Sequence, residues 1–209
     1  MTGSASWLVR HLVSKYSEAY NVVSFDKLDY CSSLHNTRML EGRPNFRFFH
    51  GDCTQPDDVL KCLQRHQIDT VFHLAAQSHV DLSFGNAFNF WNNNVLGTGV
   101  LLESIKEVGS VRRFYHISTD EVHYSPTKRK SDLLKSEQVY GEVEKDADDL
   151  TEHSTLDPTN PYAASKASAE MMVKAYVYSF GLRAVIIRLN NVYGPHQVRP
   201  RPVIECDVC

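Results

Sequence analysis

Asp69-Thr70-Val71-Phe72-His73-Leu74-Ala75-Ala76, a helical stretch over residues 88–108, and Arg113-Phe114-Tyr115-His116-Ile117 form the segment that decides the fold. The two flanks are short apolar runs of buried-strand type, and the spacer is long enough for a helix that carries the chain back across a sheet. Strands joined in this way run parallel, with a right-handed crossover. The alternation extends outward. Upstream, residues 6–16 read as a helix with Trp7, Leu8, Leu12 and Val13 apolar, and Tyr20-Asn21-Val22-Val23-Ser24-Phe25 as a strand ending at Asp26. Phe46-Arg47-Phe48-Phe49 then leads to Gly51-Asp52, and residues 57–65 read as a helix. Downstream, a helix opens at Tyr162 and Ala184-Val185-Ile186-Ile187-Arg188-Leu189 is a strand. The expected class is α/β, a doubly wound, Rossmann-type parallel sheet with its ligand crevice at the carboxyl ends of the strands.

With 209 residues and a net charge of -3, the chain suits one α/β domain and carries no electrostatic case for nucleic acid. It has no apolar run of membrane-span length and no leader pattern at its start, so a cytoplasmic location is expected. Five cysteines without framework spacing are expected to be reduced thiols. Cys206-Asp207-Val208-Cys209 supplies two of the four ligands a zinc site needs, so no metal is expected.

Two segments carry chemistry. Ser118-Thr119-Asp120-Glu121 closes one strand, and Tyr162-Ala163-Ala164-Ser165-Lys166 opens the helix after Pro158-Thr159-Asn160-Pro161. Residues at i and i+4 share a helix face, so the Lys166 ammonium can lower a phenol pKa that starts near ~10. Such a tyrosine can take a proton from a sugar hydroxyl while hydride leaves the same carbon. Asp26 closes its strand at about the 20-residue distance from Gly3 expected of a ribose-binding acid, and Asp52 is a candidate for the adenine amine.

These residues resemble the extended short-chain dehydrogenase/reductase family, in particular its dTDP-glucose 4,6-dehydratase branch, over residues 2–197. The similarity rests on Asp26-Lys27-Leu28-Asp29-Tyr30, His73-Leu74-Ala75-Ala76-Gln77-Ser78-His79-Val80-Asp81, Asn94-Val95-Leu96-Gly97-Thr98, Ser118-Thr119-Asp120-Glu121-Val122 and Asn191-Val192-Tyr193-Gly194-Pro195. The Thr-Asp-Glu triplet narrows it to the dehydratases. The resemblance implies NAD as cofactor, held by Gly3, Ser6, Asp26, Asp52, Ala75, Ala76, Tyr162 and Lys166. It implies a nucleotide-sugar substrate contacted by His79, Asp81 and Asn191. It also implies a reaction that converts dTDP-glucose to the 4-keto-6-deoxy sugar. Tyr162, assisted by Thr119 and Lys166, would take the C4 hydroxyl proton; Glu121 would remove the C5 proton and Asp120 protonate the departing C6 hydroxyl. A homodimer built on helices near residues 88–108 and 162–180 is a further implication. The alternatives are a UDP-sugar epimerase or decarboxylase of the same family, and a non-catalytic remnant that pairs with a partner.

The chain also departs from the family pattern. The phosphate loop reads Gly3, Ser6, Val9 instead of three glycines; a serine hydroxyl can serve phosphate, whereas Val9 adds bulk at a packing contact. The first, central strand of the 3-2-1-4-5-6 order is expected to be missing, with roughly three or four apolar side chains at ~1.5–3 kcal/mol each. That sum rivals the ~5–15 kcal/mol of a typical domain. Residues 123–139 interrupt the pattern, and Val198-Arg199-Pro200-Arg201-Pro202 leaves it, without the C-terminal substrate part. The expected organisation is a partial NAD-binding domain over residues 1–197 with an insertion at 123–139, then a divergent tail over 198–209. Such departures together are what a variant transcript or imperfect gene model leaves, and they predict weak or absent turnover.

Overall fold

The computed structural model describes residues 3–30, 32–122, 155–189 and 192. The interruption at 123–139, the Lys128-Arg129-Lys130 run, Asn191, the tail and its C-x-x-C lie outside the described residues.

Five strands alternate with helices. They are β1 (Val22–Asp26), β2 (Phe46–His50), β3 (Thr70–His73), β4 (Arg113–Thr119) and β5 (Ala184–Leu189). All pairings are parallel, as the crossover pattern requires. The strands form two groups, β1-β2 and β3-β4-β5, and among the described residues no strand joins β1 to β3. This is the division expected if the central strand of a Rossmann-type order is absent: its two neighbours have no shared partner.

Helix α1 (Gly3–Lys15) packs on β1 and on a 3-10 turn (Leu34–Leu40), where Arg10 Nε donates to the Asn36 carbonyl at 2.7 Å. Helix α2 (Pro56–Arg65) turns Val59, Cys62 and Leu63 inward at helical spacing. Val59 and Leu63 meet Leu101, Leu102 and Ile105 of α5 (Gly97–Val108), and the core continues to Phe114 of β4 and Val173 of α6 (Pro161–Phe180). Close approach of α5 to the loop after β2 requires Gly97: a Cβ there would lie 2.7 Å from Cys53 Sγ.

The expected single helix over 88–108 is corrected. It is a short α4 (Ala87–Phe90), a π-helical stretch (Trp91–Leu96) and α5. The wider turn admits polar side chains that capture backbone groups. Asn93 Nδ2 donates to the Asn89 carbonyl at 2.9 Å, and the Asn94 amide is drawn into the interior. Two elements absent from the expectation are the 3-10 turn at Leu34–Leu40 and α3 (Val80–Gly85), which packs on α6.

Candidate active site

The carboxyl end of β4 and the start of α6 come together as the sequence suggests. Asn160 caps α6, accepting from Ala163 N at 2.8 Å, and Pro161 occupies the first turn, where no N–H is needed. This fixes where Tyr162 begins the helix and puts Lys166 one turn on; both are buried, with Tyr162 edge-on to the Phe90 ring. Lys166 Nζ donates to the Ile117 carbonyl of β4 at 2.5 Å. Strand β4 runs through Thr119, and Asp120 and Glu121 follow it directly in a 3-10 turn (Asp120–Val122) packed against α6. Buried Thr119 donates its hydroxyl to exposed Asp120 at 3.3 Å. The Glu121 side chain is outside what the structure describes.

Burial pushes the Lys166 ammonium pKa down to about 8, against the opposing pull of the Glu170 carboxylate. It therefore still carries its charge at neutral pH. On the same sheet face, burial holds His73 and His116 far below the usual histidine range, at about 3 and about 2. The Thr98 hydroxyl donates to the Asn94 carbonyl at 2.6 Å, so it accepts from His73 Nε2–H at 2.9 Å, which fixes that tautomer.

A second group gathers at the carboxyl ends of β1 and β2. Asp26 accepts from Leu28 N at 2.7 Å and from the Ser32 hydroxyl at 3.4 Å. Asp52 accepts from Thr54 N at 2.9 Å, a local turn that orients its carboxylate. Lys27 is the hub, 3.6 Å from both Asp29 and Asp52 and bonded to Asn93 Oδ1 at 2.5 Å. Ala75 and Ala76 follow β3 as small residues, leaving room beside the crevice. His79 lies on the loop after β3, as expected, at the N-cap position of α3 with Nδ1 3.1 Å from the Tyr30 hydroxyl, whereas Asp81 stands exposed in the first turn of that helix. The Asp81 placement corrects the loop reading; β-strand length alone did not reveal that Val80 starts a helix.

Asn94, which the site prediction omitted, links the two groups. Its amide accepts from Gln77 N at 2.8 Å and donates to Gln77 O at 3.0 Å and to Ser165 Oγ at 2.9 Å. Ser165 Oγ donates to Tyr162 O at 2.7 Å, while Gln77 Nε2 donates to Asp29 at 2.9 Å. A continuous hydrogen-bonded path thus runs from the Asp26 side of the crevice to the tyrosine helix. The signal for Asn94 was a polar residue at a position where an uninterrupted helix would be apolar.

The residues fit a dinucleotide. Helix α1 opens at Gly3 with no acidic side chain in its first turn to offset its positive end, and Ser6 is small and buried there.

A family model described as GDP-mannose 4,6 dehydratase matches residues 3–132, and one described as NAD dependent epimerase/dehydratase family matches residues 125–206. The chain is 46% identical over 201 residues to a trifunctional UDP-glucose 4,6-dehydratase/UDP-4-keto-6-deoxy-D-glucose 3,5-epimerase/UDP-4-keto-L-rhamnose-reductase of Arabidopsis thaliana, covering 94% of this chain and 28% of that protein. It is 39% identical to the dTDP-D-glucose 4,6-dehydratase of Homo sapiens, covering 98% of this chain and 53% of the relative. The solved dTDP-glucose 4,6-dehydratase DesIV of Streptomyces venezuelae, with NAD bound, superposes with a TM-score of 0.77 at 35% identity, over 92% of this chain and 54% of that one. The chain thus spans about half the length of the dTDP-glucose dehydratases it matches, and less of the trifunctional enzyme. The GDP-mannose 4,6 dehydratase model covers more than half of the chain, which therefore belongs to that family of sugar 4,6-dehydratases.

Proposed function

We propose that this chain carries the NAD-binding and proton-transfer machinery of a nucleotide-sugar 4,6-dehydratase acting on a pyrimidine nucleoside diphosphate glucose, dTDP- or UDP-glucose. The observation that carries this reading is the burial of Tyr162 and Lys166 on α6 against the end of β4, beside Thr119 and the Asp120 turn. Both donors are named because relatives of each kind match most of this chain.

Gly3 and Ser6 at the α1 N-terminus and Asp26 would hold NAD, which when bound would supply a hydride acceptor and donor for the sugar. Tyr162 accepts the C4 hydroxyl proton, and the neighbouring ammonium of Lys166 stabilises its phenolate. Thr119 holds the sugar oxygen by hydrogen bond. The C4 ketone acidifies C5, from which Glu121 takes the proton, and Asp120 protonates the departing C6 hydroxyl as water. Two neighbouring carboxyl groups divide these tasks because ionising both together is costly. His79, Asp81 and Asn191 are assigned to the substrate, and Asp26 and Asp52 to the ribose and adenine.

Incubation of the purified chain with NAD and either sugar nucleotide, followed by mass spectrometry, tests the reading. Loss of one water from the sugar supports it. An unchanged mass with a C4 epimer formed points to the epimerase alternative, and no reaction at all with retained self-association points to a non-catalytic remnant.

A further inference from the structure

The Tyr162–Lys166 spacing continues for one more turn. Glu170 follows Lys166 at i+4 on α6 and is fully buried. Arg188 of β5 grips its carboxylate, with Nε 3.0 and 3.3 Å from the two oxygens and Nη2 at 2.7 Å from one of them. Phenol, ammonium, carboxylate and guanidinium therefore succeed one another from Tyr162 to Arg188.

As a fastening between α6 and the sheet, such a pair is inefficient. Desolvating two charges consumes most of what their attraction returns, and an apolar pair of similar volume holds as well or better. Val173 already packs with Phe114 of β4 in the apolar core. An apolar pair could not supply a negative charge one helical turn from Lys166. The titratable and charged groups around Lys166 are Tyr162 and Glu170 on its own helix, His73 from β3, His116 from β4 and, through Glu170, Arg188 from β5. Both histidines are held neutral by burial and, secondarily, by nearby positive charge that includes the Lys166 ammonium. Glu170 is the group that favours it.

We propose that Glu170 and Arg188 are a positioning pair for proton transfer: the Glu170 carboxylate keeps the Lys166 side chain as an ammonium beside Tyr162, and Arg188 fixes that carboxylate in place. The inference rests on the reading of Tyr162 and Lys166 as the proton-transfer pair, and its test requires neither cofactor nor turnover.

An NMR titration of the full chain labelled at the lysine ε-carbons reads it, with the Lys166 signal identified by its loss in K166R. Lys166 of the unsubstituted protein is expected to titrate near 8. E170Q is expected to lower that midpoint by about one to two units, whereas E170D, which keeps the charge, stays within about half a unit. E170Q takes the carboxylate charge away from half-buried Arg188, so E170M/R188M, which replaces both charges with apolar side chains, repeats the test in a background that folds more readily. A pair with a purely structural role would change stability and leave the midpoint in place; a folded variant of either kind titrating like the unsubstituted protein overturns the proposal. So does an unsubstituted Lys166 that titrates at its ordinary ~10.4, a result that decides the matter even if neither variant folds. Midpoints that shift as expected in a protein without dehydratase turnover would refute the function and leave the tuning intact.

Discussion

Tyr162 and His116 illustrate two ways in which one buried side chain decides behaviour. The Tyr162 ring packs on Phe90, so Tyr162→Phe keeps the packing and removes only the phenol. Turnover is expected to fall by about 10²–10⁴-fold with the thermal midpoint held, read by a water-loss assay beside a melting curve. His116 is 1% exposed, and neither ring nitrogen has a hydrogen-bond partner among the described residues. Its folded pKa, and that of His73, lies well below the unfolded value near ~6.5. Between about pH 3 and 6.5 the unfolded chain thus binds more protons, and stability rises with pH through that window and is lost as pH falls. Each histidine contributes up to about 1.4 kcal/mol per pH unit there. His116→Phe removes one of the two and an unpartnered polar ring. It is expected to move the acid-unfolding midpoint, followed by circular dichroism, down by roughly half a pH unit; an unchanged midpoint would show that His116 is solvated. The placement of Thr119, Tyr162 and Lys166 was legible in the sequence because motif spacing maps directly onto one strand end and one helix face. Glu170 was not, because an i+8 acid on an otherwise apolar helix looks like a surface residue until Arg188 is seen to reach it.

At the scale of elements, the π-helical stretch and the approach of α5 to the β2 loop are both set by single residues. Gly97→Ala would put a methyl carbon against Cys53 Sγ, and a destabilisation of about 1–3 kcal/mol is expected in urea unfolding. Cys53→Ala should recover most of that loss in the double variant; independent, additive effects would contradict the close contact. Asn94→Leu leaves Gln77 N and O without their partner and should cost about 2–4 kcal/mol, more than a helix-surface substitution would. Strand positions were readable to within a residue or two from apolar runs. The helix over 88–108 was not read correctly, because periodicity registers the hydrophobic stripe and is blind to Asn93 and Asn94 capturing backbone groups across it. Similarly, α3 is a short helix with little stripe to detect, and its contacts with α6 make it stable in context.

Across the molecule, the two strand groups share the apolar core, where Phe25 of β1 packs against the cluster that holds Phe114 of β4, and are further joined at their carboxyl ends through Lys27 to Asn93, Gln77 to Asp29 and Tyr30 to His79. A β1-β2 unit without a ladder to β3 is expected to open before the β3-β4-β5 unit. In hydrogen exchange, amides of Val22–Asp26 and Phe46–His50 should exchange at least about tenfold faster than those of Arg113–Thr119; equal protection would mean the two groups unfold together. The parallel pairing of the strands followed from the βαβ alternation. The positions of Asp120 and the His79 loop depended on packing against α6, which no local pattern encodes. The account turns on hydride leaving C4 and returning at C6 of one sugar, and the most direct test uses dTDP- and UDP-glucose carrying deuterium at C4. A 4-keto-6-deoxy product with that deuterium at C6 is the predicted result. Sugar recovered with its water retained, or deuterium remaining at C4, would contradict it.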